Sequence, residues 1–144
     1  MKVFSYFICS IVTICMLFGC KKDSCESPIA SGLIGKWELR KVEGSITTNY
    51  PSGNGSTYQF TDTAYSIFSN GVLVKKGRYK VISDASVSSE VGLVFTSGEY
   101  ANRIIFDDDI LSNKIFFQIT ETKLSFVSGY FPLDGGSFRT YEKE

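Results

Sequence analysis

From Leu33 onward, apolar and polar side chains alternate in short runs, the period-two signature of strands with one buried face. In Gly35-Lys36-Trp37-Glu38-Leu39-Arg40, Trp37 and Leu39 fall on one side, with Lys36, Glu38 and Arg40 on the other. Val42 is out of phase with Leu39, which predicts a bulge near Arg40. Gly44–Ser56 holds Pro51, Gly53 and Gly55 and reads as a loop before a second strand at Tyr58-Gln59-Phe60-Thr61. Tyr65–Phe68 and Val72–Lys75 flank Asn70-Gly71, a pair that tolerates positive φ and so predicts a tight hairpin. Gly77 reads as a bulge or the start of a new strand at Arg78–Val81, with Tyr79 and Val81 inward.

Beyond a serine-rich loop at Ser83–Ser89, strands are expected at Val91–Thr96, Arg103–Asp107, Lys114–Thr120 and Lys123–Val127, with a last one at Ser137–Tyr141. No stretch after the leader has a helical period. Eight or nine strands in succession, joined mostly by short links, predict an all-β antiparallel fold. An eight-stranded up-and-down barrel suits those links; the alternative is a β-sandwich, whose Greek-key crossings need longer connections.

The chain ahead of these strands has a different character. Met1-Lys2 opens with a positive charge, and Val3–Phe18 has neither charge nor proline. That run is short for a bilayer span and suits the apolar core of a signal peptide. Lys21–Ser31 is polar and contains Pro28, so it reads as a linker rather than a helix. The junction Leu17-Phe18-Gly19-Cys20 resembles the lipobox of bacterial lipoproteins, although Phe18 is bulkier than that motif's usual residue. The resemblance implies cleavage before Cys20 and attachment of lipid, palmitate among its acyl chains, to that cysteine. Lys21, where aspartate commonly signals inner-membrane retention in such lipoproteins, implies the outer membrane and leaves open which of its faces carries the domain.

A second resemblance rests on Gly35-Lys36-Trp37 at the start of the first strand and on Phe138-Arg139-Thr140-Tyr141 in the last. These look like the opening and closing strands of lipocalin-like domains. The chain then divides into a signal peptide at 1–19, a lipidated N-terminus and tether at 20–32, and a lipocalin-like barrel at 33–144. Paired cysteines and a helix after the barrel, usual in secreted lipocalins, are not evident in the sequence.

Composition narrows the chemistry. Basic and acidic residues are equal at 15 each, so no cationic field draws the domain to nucleic acid. Histidine is absent, which removes the Ser-His-Asp and Cys-His nucleophiles and the imidazole metal ligands. Cys9 and Cys15 fall in the leader and Cys20 is taken by lipid, leaving Cys25 as a lone thiol in the tether. Asp107-Asp108-Asp109 lacks the spacing and glycine of a calcium loop and reads as a solvated turn. Asp62, Glu90, Glu99 and Asp134 have no reason to converge as an acid–base pair. The expectation is a non-catalytic domain with no cofactor and no metal.

Aromatic residues dominate the inward positions. Tyr58, Phe60, Tyr79, Phe95, Phe117 and Phe126 are the candidates to line an apolar cavity, with Trp37, Tyr65 and Phe106 beside them. Side chains of this size leave little free volume in an eight-stranded closure. The expected function is binding at the barrel mouth, of a small apolar ligand or of an envelope protein. The alternative is a structural or interaction lipoprotein with a filled barrel. Trp37 is expected to be buried packing rather than a ligand contact.

Overall fold

A computed structural model describes residues 28–144, with side chains from Ser31 onward. The leader, Cys20 and Cys25 lie outside the described residues. Nine strands are present: β1 Gly35–Glu43, β2 Thr48–Asn49, β3 Thr57–Phe60, β4 Ala64–Ser69, β5 Val72–Ser83, β6 Asn102–Phe106, β7 Ile115–Ile119, β8 Lys123–Ser128 and β9 Ser137–Lys143. Two short helices, α1 Pro28–Leu33 and α2 Val87–Val91, and a 3-10 turn at Phe131–Leu133 complete the fold.

Every strand pair is antiparallel, and β3 to β9 follow one another around the sheet. β9 then returns to β1, with Trp37 opposite Lys143 and Leu39 opposite Tyr141. Eight strands therefore close into an up-and-down barrel, and β2 is an extra two-residue strand on β1. Closure removes the exposed sheet edges that a sandwich would keep.

Local chemistry explains the turns and irregularities. Asn70 and Gly71 both adopt positive φ, 50° and 76°, at the tip between β4 and β5. The expected bulge is present: the β1–β9 register shifts between Leu39 and Lys41, which returns Val42 to the inward phase. Gly77, by contrast, lies within a continuous β5, and the register shift of that hairpin sits opposite Ile67/Phe68. A Cβ on Gly77 would come within 2.9 Å of the Tyr65 ring and closer still to the Asp107 carboxylate. Glycine is needed there for close approach.

Two further expectations are corrected. Pro28 does not prevent a helix; it begins α1, where its missing N–H costs no hydrogen bond. Val91–Thr96 is not a strand, because β5 pairs directly with β6 and leaves no place between them. Val91 ends α2, and Leu93 and Phe95 follow it along the outside of the barrel.

The core has two compartments. The inner one fills the barrel with Trp37, Phe60, Tyr65, Tyr79, Ile104, Phe117, Leu124, Phe126 and Tyr141. α1 closes one end: Leu33 is buried against this cluster, and its carbonyl accepts the Trp37 Nε1–H at 2.7 Å. The outer compartment lies on the opposite face of β7–β9, where α2 covers Phe116 and Val127 with Val87 and Val91.

Candidate functional site

Five of the six aromatic candidates meet inside the barrel. Tyr58 stacks on Phe60 with ring centroids 5.4 Å apart, and meets Phe126 edge-on at 5.7 Å. Phe60 meets Tyr79 edge-on at 5.2 Å, and Phe117 meets Phe126 at 6.5 Å. Phe95 is the exception. It sits on the outer wall, 5.1 Å from the Tyr100 ring, and cannot line the interior. The inward pattern missed Tyr141, which completes the cluster 5.4 Å from Tyr58 and 5.6 Å from Phe126.

Edge-on and offset rings at these separations are favourable aromatic geometry, so the interior is packed against itself. Tyr58 is half-buried and lies opposite Trp37 in the β1–β3 register. Burial raises the pKa of its hydroxyl, and the nearby Arg139 charge partly opposes the shift. Tyr141 is raised by burial in the same way. Neither phenol is poised to ionise near neutrality.

The acidic residues are spent on structure. Asp107 accepts hydrogen bonds from the Tyr65 hydroxyl at 2.7 Å and the Arg78 N–H at 3.1 Å, and pairs with Lys75 at 3.0 Å. The Tyr65 bond, with Lys75, lowers the pKa of its carboxyl. Asp108 pairs with Lys80, and Asp109 accepts from the N–H groups of Leu111 and Ser112. Glu90 pairs with Lys114, while Asp62, Glu99 and Asp134 lie on three other connections. Among the described residues, no group of three or more acidic, cysteine or histidine side chains could hold a metal.

A polar cluster that sequence reasoning missed lies on the outside of β1. Glu38 lies on the face opposite Trp37, as the alternation predicts, yet it is only 2 % exposed. Its carboxylate accepts the N–H groups of Gly53 and Gly55 at 3.0 and 3.1 Å and pairs with Arg40 at 2.6 Å. Arg40 also donates to Glu142, to the Pro51 carbonyl and to Ser52. Gly53 and Gly55 both have positive φ, in a loop that turns their two N–H groups toward one carboxylate. The glycines of the Pro51–Gly55 loop were the available signal.

Several cavities open outside the inner cluster, and two of them border Ser112 and Asn113 of the loop between β6 and β7. One, of about 500 Å³, lies between the loop after β6, α2 and the loop after β8, with Leu111, Tyr130 and Lys114 on its walls. The other, of about 240 Å³, lies beneath the loop between β6 and β7 beside Arg103. The same end of the molecule exposes Ile46, Ile110, Leu111, Tyr130 and Leu133, with Leu111 93 % exposed. The Ser45 hydroxyl donates to the Asp134 carbonyl, which ties the β1–β2 loop to the loop before β9.

The fold and these surfaces define a closed, aromatic-filled eight-stranded barrel with an apolar rim. No protein-family model matches the chain, and no curated protein or solved structure matches it. No described helix is long and apolar enough to cross a membrane.

Proposed function

We propose that the chain is a lipid-anchored envelope lipoprotein whose lipocalin-like barrel is a non-catalytic module that binds a partner protein through its rim. The observation that carries this reading is the division of apolar surface: the inner rings fill the barrel, while large apolar side chains stand exposed on the loops at one end. Solvent-facing apolar clusters of this kind mark interaction sites. Lipid on Cys20 would tether the α1 end, because the tether runs into α1. The rim would then face away from the bilayer, and Lys21 supports the outer membrane as that bilayer.

The test places a photo-crosslinking residue at Leu111 on the rim, or at Glu121 in the β7–β8 turn near α1, in cells making the full chain. A discrete protein adduct from Leu111 and none from Glu121 is expected; equal adducts or none from Leu111 would overturn the rim assignment. Palmitate labelling and outer-membrane fractionation, both lost in Cys20→Ser, test the anchor.

A second reading is favoured by the half-buried Tyr58: a small apolar ligand at the mouth against Tyr58 and Phe126. Titration with fatty acids of increasing length, followed by Trp37 fluorescence, separates the two. Saturable one-to-one binding of a long chain would show that the barrel opens and would replace the first reading.

A further inference from the structure

The cleft of about 500 Å³ has a lining that the apolar rim does not account for. Its volume falls within the roughly 300–1,000 Å³ of small-molecule sites. Three walls form it: α2 with Glu90, the loop before β7 with Asn113 and Lys114, and the loop before β9 with Tyr130. Every one of these elements lies outside the barrel, so the filled interior puts no limit on what enters.

Tyr130 is 44 % exposed, and no other ring among the described residues packs on it. It is nonetheless fixed. Its carbonyl accepts the Gly135 N–H at 3.1 Å, and its ring passes so near Gly92 that a Cβ there would lie 2.7 Å from it. The exposed Asn113 amide and the Tyr130 hydroxyl have no hydrogen-bond partner among the described residues. A held aromatic ring and unspent polar groups therefore share one concave surface.

Charge on the walls selects further. Lys114 Nζ meets Glu90 at 2.6 Å, Ser86 at 2.9 Å and Asp84 at 3.4 Å, which occupies its three N–H groups. An anion would find that ammonium taken and the Glu90 and Asp84 carboxylates beside it. A cation would approach the ammonium itself. A wholly apolar ligand would take water from Asn113 and Glu90 and return no hydrogen bond.

We propose that this cleft binds a short neutral saccharide. One pyranose lays its C–H face on the Tyr130 ring, whose negative face attracts those hydrogens. Its hydroxyls donate to the Glu90 carboxylate and accept from the Asn113 amide. The site goes beyond the rim reading, since neither the anchor nor a partner protein is needed to fill it.

The test uses the full chain in micelles of a detergent without a sugar head group, titrated with maltose, cellobiose, chitobiose, glucuronate and glycerol. The Asn113 side-chain amide and the Tyr130 ring resonances report on the site without any substitution. Both should shift saturably with at least one of the neutral disaccharides, and not with glycerol. Tyr130→Ala should weaken that binding about tenfold, the worth of an aromatic contact, as followed at Asn113. Tyr130→Phe should keep most of it. Signals that stay still with all three disaccharides, that answer equally to glycerol or more strongly to glucuronate, or binding that survives Tyr130→Ala unchanged would overturn the assignment. The Leu111 adduct is scored in a separate experiment, so the saccharide site and the rim reading fail independently.

Discussion

The wall formed by β7, β8 and β9 is apolar on both faces, and the two faces are buried by different means. Inward, Phe117, Leu124, Phe126 and Tyr141 are covered by barrel closure itself, so their burial depends on all eight strands at once. Outward, Phe116, Val127 and Phe138 need a separate cover, supplied by Val87 and Val91 of α2 and by Leu93, Phe95, Tyr100 and Phe131. A third arrangement holds on β1, where an outward carboxylate, Glu38, is covered by a loop that supplies N–H groups instead of hydrocarbon. The inner face is thus a cooperative core. The outer covers are local structures laid on a wall that already exists, and substitutions should separate the two behaviours.

The largest effect is expected inside. Trp37 is fully buried and joins α1 to the barrel through its bond to Leu33. Trp37→Ala should cost about 3–5 kcal/mol, a large part of the roughly 5–15 kcal/mol that holds a domain together. Chemical denaturation followed by circular dichroism measures it. A cost near that of a surface change would mean that the inner face is not the cooperative core.

This contrast also explains what the sequence made legible. Period-two alternation identified the strands because barrel strands bury one face by construction, and Asn70-Gly71 and the Arg40 bulge followed from φ and phase. Val91, Leu93 and Phe95 alternate in the same way and do turn one side to the protein, with Val94 between them 98 % exposed. Alternation reports which side is covered. It does not report whether a neighbouring strand is present, so an extended segment lying on the outer wall passed for a strand and Phe95 for an interior residue. The run Ile115-Phe116-Phe117, apolar in both phases, was the sign of a two-sided wall. Glu38 and Arg103 stayed hidden because an outward charge on a strand is usually solvated. Their burial depends on loops whose course no local pattern fixes.

A smaller effect is expected at the polar cover of β1. Glu38→Gln keeps the shape but loses the charge that Arg40 and the two glycine N–H groups share, and should cost about 1.5–3 kcal/mol, the range for a hydrogen bond to a charged group. Burial pulls the Glu38 carboxyl upward, and its bonds to Gly53, Gly55 and Arg40 outweigh that, leaving it below its ordinary 4.5. The folded state therefore holds this proton less readily than the unfolded chain. Its stabilising contribution is complete above the ordinary value and is lost as pH falls through the lowered one. Denaturation midpoints of the wild type and Glu38→Gln should converge in acid and separate toward neutrality; a constant difference would show that the charge is not what holds the loop.

The apolar cover should respond locally. Val91→Ala removes two methyl groups from beneath α2, worth roughly 1–2 kcal/mol at about 0.8 kcal/mol per buried carbon. Amide exchange should quicken across Val87–Val91 through direct opening of the cover, a route that leaves the β8 amides protected. Equal quickening in both places would show that α2 belongs to the cooperative unit and would erase the distinction between the faces.

The smallest expected effect returns to Trp37 from outside. Lys143, its partner on β9, holds Nζ 5.2 Å from the Trp37 ring centroid. The lysine is exposed, so water competes for its charge, and such a contact is worth about 0.5–1 kcal/mol. Lys143→Met keeps the apolar stem over the ring and removes only the charge. Its cost should fall in that range in the wild type and vanish in a Trp37→Leu background, because the ring face that attracts the cation is then gone. A double-mutant cycle built on denaturation midpoints isolates this coupling from the much larger loss of the ring. A cost that survives in the Trp37→Leu background would place the charge's role elsewhere. The closed end of the barrel would then be held by Leu33 and the Trp37 ring without help from β9's last lysine.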